Sequence, residues 1–138
     1  MILIRSGMSP DHADLLSSAT DSKFQVERKE DWAQIMPELG PRANDLVITK
    51  RQWGGFYGTD LDLQLRRRHI DTILIGGIAT NYGVEATARS AAERGYKLIF
   101  VSDVMSSFTS AGHEFAIKQI FPYLGRVRDS AEVIRALE

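Results

Sequence analysis

Residues 72–95 read TILIGGIATNYGVEATARSAAERG, and this stretch predicts a strand, a turn and a helix in succession. The run from Thr72 to Ile75 is short, apolar and rich in β-branched residues, which is typical of a buried parallel strand. From Val84 onward, small and apolar residues recur at helical spacing until Gly95, a residue type that commonly ends helices. Ligands in open α/β sheets bind at the carboxyl ends of strands, so the turn is the first candidate site.

The same alternation of strands and helices continues on both sides of this stretch. Further strands are predicted at Ile2–Ile4, Leu46–Thr49, Lys97–Val101 and Gly125–Val127, and further helices at Asp60–His69, Ser110–Phe121 and Ser130–Leu137. Residues 6–23 predict a loop, and residues 31–39 predict a short amphipathic segment. We therefore expect an α/β fold with a mostly parallel sheet and helices on both faces.

Composition limits the classes of function. The 138 residues suffice for one domain, and 17 basic against 18 acidic side chains offer no electrostatic reason to expect nucleic acid or an anionic membrane as partner. No apolar run approaches the ~20 residues needed to cross a bilayer, and no signal peptide is recognisable, so we expect a cytoplasmic protein. The absence of cysteine excludes disulfides, thiolate metal ligands and a cysteine nucleophile in this sequence.

Lys50 and the loop after it form a second candidate region. Lys50 stands where a predicted strand ends, so it either holds a ligand carboxylate or is an ordinary solvated lysine. The loop RQWGGFYG, residues 51–58, places Trp53 and Phe56 either in a pocket for a flat substrate or in packing contacts beneath the loop or between subunits. In the turn of residues 77–83, backbone N–H groups could stabilise an oxyanion, or the glycines could serve only close packing.

The remaining polar candidates favour structural roles. Asp103 follows the fourth predicted strand, where capping of the next loop is favoured over ligand binding. The sequence has three histidines, His12, His69 and His113, and their spacing matches no metal site. We expect His69 to complement a helix C-terminus and expect neither a metal nor a cofactor.

Two motifs in this order resemble the isochorismatase-like hydrolase family, part of the cysteine hydrolase superfamily. They are Lys-Arg-x-x-x-x-Phe-x-x-Thr-x-Leu from Lys50 and Gly-x-x-Thr-x-x-x-Val-x-x-Thr-Ala from Gly77. The resemblance implies a three-layer α/β/α sandwich and a catalytic set of Asp, Lys and Cys, with Lys50 as the lysine. It also implies a cis peptide at Ile78–Ala79, and it places Gly83 where the family has its cysteine.

The sequence departs from the family pattern in two ways. Gly83 removes the nucleophile, so a thioester mechanism is excluded. Cys-less isochorismatases of the phenazine pathway use an acidic Asp, but the strand that would carry this Asp precedes Ile2 in the family pattern. Residues 1–138 are therefore expected to be a single, N-terminally truncated domain. In the family the missing strand lies between the strands that match Ile2–Ile4 and Thr72–Ile75. Either these two strands pair directly, giving a sheet of order 2-1-3-4-5, or the chain is a fragment of a longer protein, which we favour.

The resemblance implies a hydrolase of a small amide or vinyl ether, with little or no activity in this chain. The expected site consists of Lys50 and Gly83 as catalytic positions and of residues that line the substrate pocket: Trp53, Phe56, Ile78, Ala79 and Tyr82. The alternative is a non-catalytic binding or assembly module that retains the fold. Family members commonly form dimers or tetramers, so a homo-oligomer is expected.

Overall fold

The computed structural model describes residues 1–11, 13–14, 20–22 and 31–138. The strands are Ile2–Ser6 (β1), Leu46–Lys50 (β2), Thr72–Ile78 (β3), Lys97–Ser106 (β4) and Arg126–Arg128 (β5). The α-helices are Leu61–Arg67 (α1), Glu85–Glu93 (α2), Ser110–Phe115 (α3), Phe121–Leu124 (α4) and Ser130–Leu137 (α5). A 3₁₀ turn spans Pro37–Leu39, and π-helical turns span Thr80–Val84 and Ala116–Ile120. The predicted α/β alternation is confirmed.

The described strands form two parallel sheets. β1 pairs with β2 in a register that sets Ile2 beside Leu46 and Ser6 beside Lys50, while β4 lies between β3 and β5. Within the described residues β1 and β3 do not pair. A continuous sheet of order 2-1-3-4-5 is therefore not formed, and that alternative is wrong. The truncated single domain stays a prediction.

Aromatic stacking and small helix residues build the core on one face of β4. The rings of Phe100 and Phe121 stack with centroids 4.0 Å apart, and neither is accessible to solvent. Ala88 and Ala91 on α2 belong to the same buried cluster. Ile99, which alternates with Phe100, lines a groove against α5 on the other face. Helices thus cover both faces, as predicted.

The central strand is longer than predicted. β3 continues through Gly76 and Gly77 to Ile78, with an irregularity in its pairing between Ile75 and Gly77. A side chain at Gly76 would bring its Cβ within 2.7 Å of Val104 Cγ2, so glycine permits the close approach of β4. Residues 76–77 therefore still belong to the strand, and the turn begins only after Ile78.

Helix ends follow local capping chemistry. Gly95 has φ +83°, which confirms that it ends α2 in the left-handed region. α1 is shorter than predicted at both ends, although the Thr59 hydroxyl accepts a hydrogen bond from the Leu61 N–H at 3.2 Å. α5 is capped by Asp129, because its side chain accepts the Glu132 N–H, and Ser130 is the first helical residue.

Two further predictions need correction or lie outside the described chain. The helix predicted at Ser110–Phe121 does not end at Phe121, because helical turns continue to Leu124, and Pro122 lies in the first turn of α4, where its missing N–H costs no hydrogen bond. His12 and much of the predicted loop 6–23 lie outside the described residues. Among the described residues, no helix has the length and apolarity to cross a membrane.

The Phe100–Phe121 stack predicts a large difference between two positions on α4. Phe121→Ala should lower the free energy of unfolding by about 3–5 kcal/mol, because it opens a cavity at a fully buried ring. Tyr123→Ala, at a residue 89% exposed, should change it by less than about 0.5 kcal/mol. Urea unfolding measures both, and similar losses for the two variants would contradict this description of the core.

Candidate functional site

Lys50 and Gly83, far apart in sequence, lie side by side. The Lys50 ammonium at the end of β2 donates a hydrogen bond to the Trp53 carbonyl. A Cβ built on Gly83 would lie 3.1 Å from Lys50 Nζ and 3.3 Å from the Trp53 oxygen. The structure thus brings together the two positions that the sequence predicts as catalytic.

The electrostatic state of Lys50 is set by burial. Desolvation lowers the pKa of its partly buried amine from the ordinary 10.5, because the charged form loses hydration. Within the described residues no carboxylate pairs with it. An ammonium has three donors, so this group can bind a further acceptor, such as a ligand carboxylate or carbonyl oxygen.

The Thr87 hydroxyl connects the 51–58 loop to the turn before α2. It donates to the Gly83 carbonyl at 2.6 Å and accepts the Gly55 N–H at 2.9 Å. Thr87 is 7% exposed, so the bond from Gly55 is made away from water. This hydroxyl holds the backbone of both segments in fixed relation, and it was not among the residues predicted for the site.

The turn itself is held by hydrogen bonds to one carbonyl. The Ile78–Ala79 peptide is cis, as the resemblance implied. The Ala79 carbonyl accepts the N–H groups of Tyr82 at 3.1 Å and Val84 at 3.2 Å. These two donors are engaged within the turn, so neither is free to stabilise an oxyanion in this arrangement.

Thr80 and His113 form a buried polar contact behind the turn. Thr80 is fully buried, and its hydroxyl donates to the Ser106 carbonyl at 3.0 Å. His113 Nδ1 lies 2.8 Å from the hydroxyl oxygen of Thr80. Since the hydroxyl has one proton, we assign the Nδ1 proton to His113, which then donates to Thr80. His113 therefore supports the turn, a role that its position within a helix did not indicate.

Three aromatic rings line the exposed side of the turn. Trp53, 64% exposed, meets Tyr82 edge-on with ring centroids 5.1 Å apart. Tyr82 meets Phe108 in the same manner at 5.4 Å. We call Trp53, Tyr82 and Phe108 the aromatic row. The sequence predicted the first two as substrate-lining residues and missed Phe108, which follows β4.

The other predicted lining residues differ in exposure. Phe56 is only 5% exposed and packs against Tyr96, with centroids 5.9 Å apart, which matches the packing alternative for this residue. Ala79 is also buried, whereas Ile78 is 80% exposed beside it. Phe56 and Ala79 thus contribute to the support of the site more than to its accessible surface.

The remaining polar candidates lie outside this site. Asp103 accepts hydrogen bonds from the Ser130 N–H at 2.8 Å and hydroxyl at 2.5 Å, so it fixes the start of α5. These bonds lower the pKa of Asp103, with the hydroxyl bond as the largest cause. His69 follows α1 with φ +53°. The described part of the chain contains no cluster of side chains that could hold a metal ion.

Comparison with known proteins identifies the family. A family model described as "Isochorismatase domain" matches residues 6–132. The chain belongs to the isochorismatase family. It is 50% identical over 131 residues to the isochorismatase family protein YwoC of Bacillus subtilis, a match that covers 93% of this chain and 69% of YwoC. It also resembles the structure of an isochorismatase family protein from Burkholderia thailandensis, with a TM-score of 0.93, 45% identity, and coverage of 99% of this chain and 72% of that one.

The family includes relatives named for an activity. One is the ureidoacrylate amidohydrolase RutB of Methylorubrum extorquens, which is 38% identical over 104 residues. That match covers 75% of this chain and 42% of RutB. The fold and family predicted from the sequence are thus confirmed.

The two hydrogen bonds of Thr87 predict that its hydroxyl contributes more to the free energy of unfolding than its methyl group does. Thr87→Val should lower the free energy of unfolding by about 1–3 kcal/mol, because the buried Gly55 N–H and the Gly83 carbonyl both lose their partner. Thr87→Ser keeps the hydroxyl and should cost less. If denaturant unfolding shows that Thr87→Ser is less stable than Thr87→Val, packing of the methyl group and not the hydrogen bonds stabilises this contact.

The lowered pKa of Lys50 predicts a pH dependence of stability. Between the folded pKa and the unfolded value near 10.5, the folded state binds fewer protons, so the free energy of unfolding should rise as pH rises through this interval. Lys50→Met removes the titrating group and should flatten the rise. Unfolding of both proteins by urea over this pH range tests the expectation, and parallel curves would contradict it.

Proposed function

We propose that the site around Lys50 and Gly83 binds a small molecule carrying an amide or vinyl ether, as substrate or ligand of an isochorismatase-family hydrolase fold. The observation that carries the proposal is the approach of Lys50 Nζ to the Gly83 position, 3.1 Å from a Cβ built there. The family match and the amidohydrolase named among the relatives support this chemistry. Trp53, Tyr82 and Ile78 are the proposed accessible walls.

The proposed chemistry is limited by what this chain supplies. The Lys50 ammonium can hold or polarise a ligand oxygen, and because the residue is partly buried, water only partly shields its charge. A thioester route needs a thiol, and the sequence has no cysteine. A vinyl ether route needs a carboxylic acid near the ligand, and the described residues place none in an ion pair with Lys50. We therefore propose binding with little or no turnover by this chain.

The second candidate is a non-catalytic binding or assembly module. Gly83 at the nucleophile position favours it, since a glycine offers no reacting group. The exposed aromatic row supports a homo-oligomer, dimer or tetramer, because exposed Trp and Tyr are enriched where proteins meet. The cytoplasmic location stays a prediction.

A panel of ligands separates the two candidates. The chain is mixed with nicotinamide, ureidoacrylate and isochorismate, binding is followed by saturation-transfer NMR, and ammonia or pyruvate release is assayed. Turnover that disappears in Lys50→Met supports a hydrolase. Saturable binding with little or no turnover, again lost in that variant, is the result expected for the proposed site around Lys50. If none of these compounds binds, the proposed site is wrong.

A Gly83→Cys variant tests the geometry of the site directly. Lys50 beside the new thiol should lower its pKa below the ~8.5 of a free cysteine, so alkylation by iodoacetamide should reach its plateau at lower pH. The matched control is the same variant with Lys50→Met, in which the alkylation profile should move back to higher pH. Identical profiles would show that the two positions do not interact.

A further inference from the structure

A second cavity lies at the carboxyl ends of β1 and β2. Its volume is about 380 Å³, which is within the range of small-molecule sites. Its lining includes Arg5, Gly7, Met8, Trp32, Thr49 and Arg51. Successive side chains of a strand point to opposite faces, and Arg5 is paired with Thr49 in the parallel register. The cavity wall formed by Arg5 and Thr49 is therefore on the other face of the sheet from Lys50.

The Arg5 guanidinium makes a hydrogen bond to Thr49 and, among the described residues, no ion pair. Its Nε donates to Thr49 Oγ1 at 3.1 Å, which orients the planar group at the cavity wall. No described carboxylate lies within ion-pair distance of it. Its two terminal nitrogens can thus form the parallel pair of hydrogen bonds that arginine makes with a carboxylate.

A second guanidinium makes the cavity positive overall. Arg51 pairs through its Nε with Asp14, which leaves the terminal nitrogens of this arginine outside that contact. Arg5 and Arg51 are the charged side chains among the described residues that line the cavity, so this described lining has a net positive charge. An anion is therefore the ligand type that this charge arrangement favours.

Apolar surface completes the cavity. Trp32 and Met8 supply a flat ring and a polarizable side chain on the lining. At Gly7 the cavity is lined by backbone alone. A side chain at this position would clash, because its Cβ would lie 2.5 Å from Thr49 Cγ2. Backbone, ring and guanidinium together form walls suited to a planar group that carries a negative charge.

We propose that this cavity binds a small planar carboxylate at a site separate from Lys50, with Arg5 as the principal anion-binding residue. Arg51 adds charge, and Trp32 contacts the planar body of the ligand. The proposal does not depend on the proposed hydrolase site, because Arg5 and Thr49 point to the opposite face of the β1–β2 sheet from Lys50.

The two tryptophans of the sequence, Trp32 and Trp53, allow a selective test. In a Trp53→Phe background, Trp32 is the only tryptophan, and its fluorescence is titrated with benzoate, with the neutral analogue benzamide and with inorganic phosphate. Benzoate should change the emission saturably. Benzamide and phosphate should bind at least about tenfold more weakly, since one lacks the charge and the other the planar body.

Variants of the two arginines and two controls complete the experiment. Arg5→Gln should weaken benzoate binding about 10- to 100-fold, and Arg51→Gln should weaken it less. Arg89→Gln removes an exposed arginine that pairs with Glu85 on α2, and it should have no effect. Thermal melting verifies that each variant is folded. The proposal would be overturned if benzoate still binds to Arg5→Gln with unchanged affinity, or if benzamide or phosphate binds as tightly as benzoate. Loss of benzoate binding in Lys50→Met would also overturn it.

Discussion

The Thr87 hydroxyl is the contact on which the candidate site depends, because it bonds to both backbone segments that form it. One bond reaches Gly55 in the 51–58 loop and the other reaches Gly83 in the turn. Both partners are glycines, and the backbones approach closely. A Cβ on Gly55 would lie 3.4 Å from Thr87 Cγ2 and 3.0 Å from Ile4 Cδ1, so the loop lies against both α2 and β1.

This close approach explains why Lys50 reaches the turn. The loop turns back immediately after β2, and the Trp53 carbonyl accepts a hydrogen bond from the Lys50 ammonium. Gly83 leaves the amine room, since a side chain there would crowd Nζ. The same glycine removes the atom that could attack a substrate. Geometry and chemistry thus separate here: the approach of Lys50 to position 83, which the family resemblance predicts, is present, but Gly83 has no reacting group.

The sequence predicts the parts of this structure that have a local or motif signal. The β-branched run at Thr72–Ile75 and the stop at Gly95 identify β3 and α2. The motif around Lys50 predicts a site lysine, and that role stays a prediction. The contacts that support the site join residues far apart in the chain. Thr80 and His113 are separated by 33 positions, and no periodicity connects them. Phe56 shows the opposite difficulty, because an aromatic in a glycine-rich loop has the same local pattern whether it is buried or exposed.

The two faces of the β1–β2 sheet carry different cations, which are proposed to bind ligands. Lys50 on one face is a partly desolvated amine, while Arg5 beside Thr49 on the other is a guanidinium held at a cavity wall. The whole chain has a net charge of −1, so its overall field does not attract anions from a distance. Affinity at either proposed position must therefore come from short contacts, and partial burial strengthens such contacts at Lys50 but not at the exposed Arg5. Selectivity between the two positions then follows from shape, since an ammonium can donate hydrogen bonds to oxygens in many directions, whereas a guanidinium favours a planar pair of acceptors.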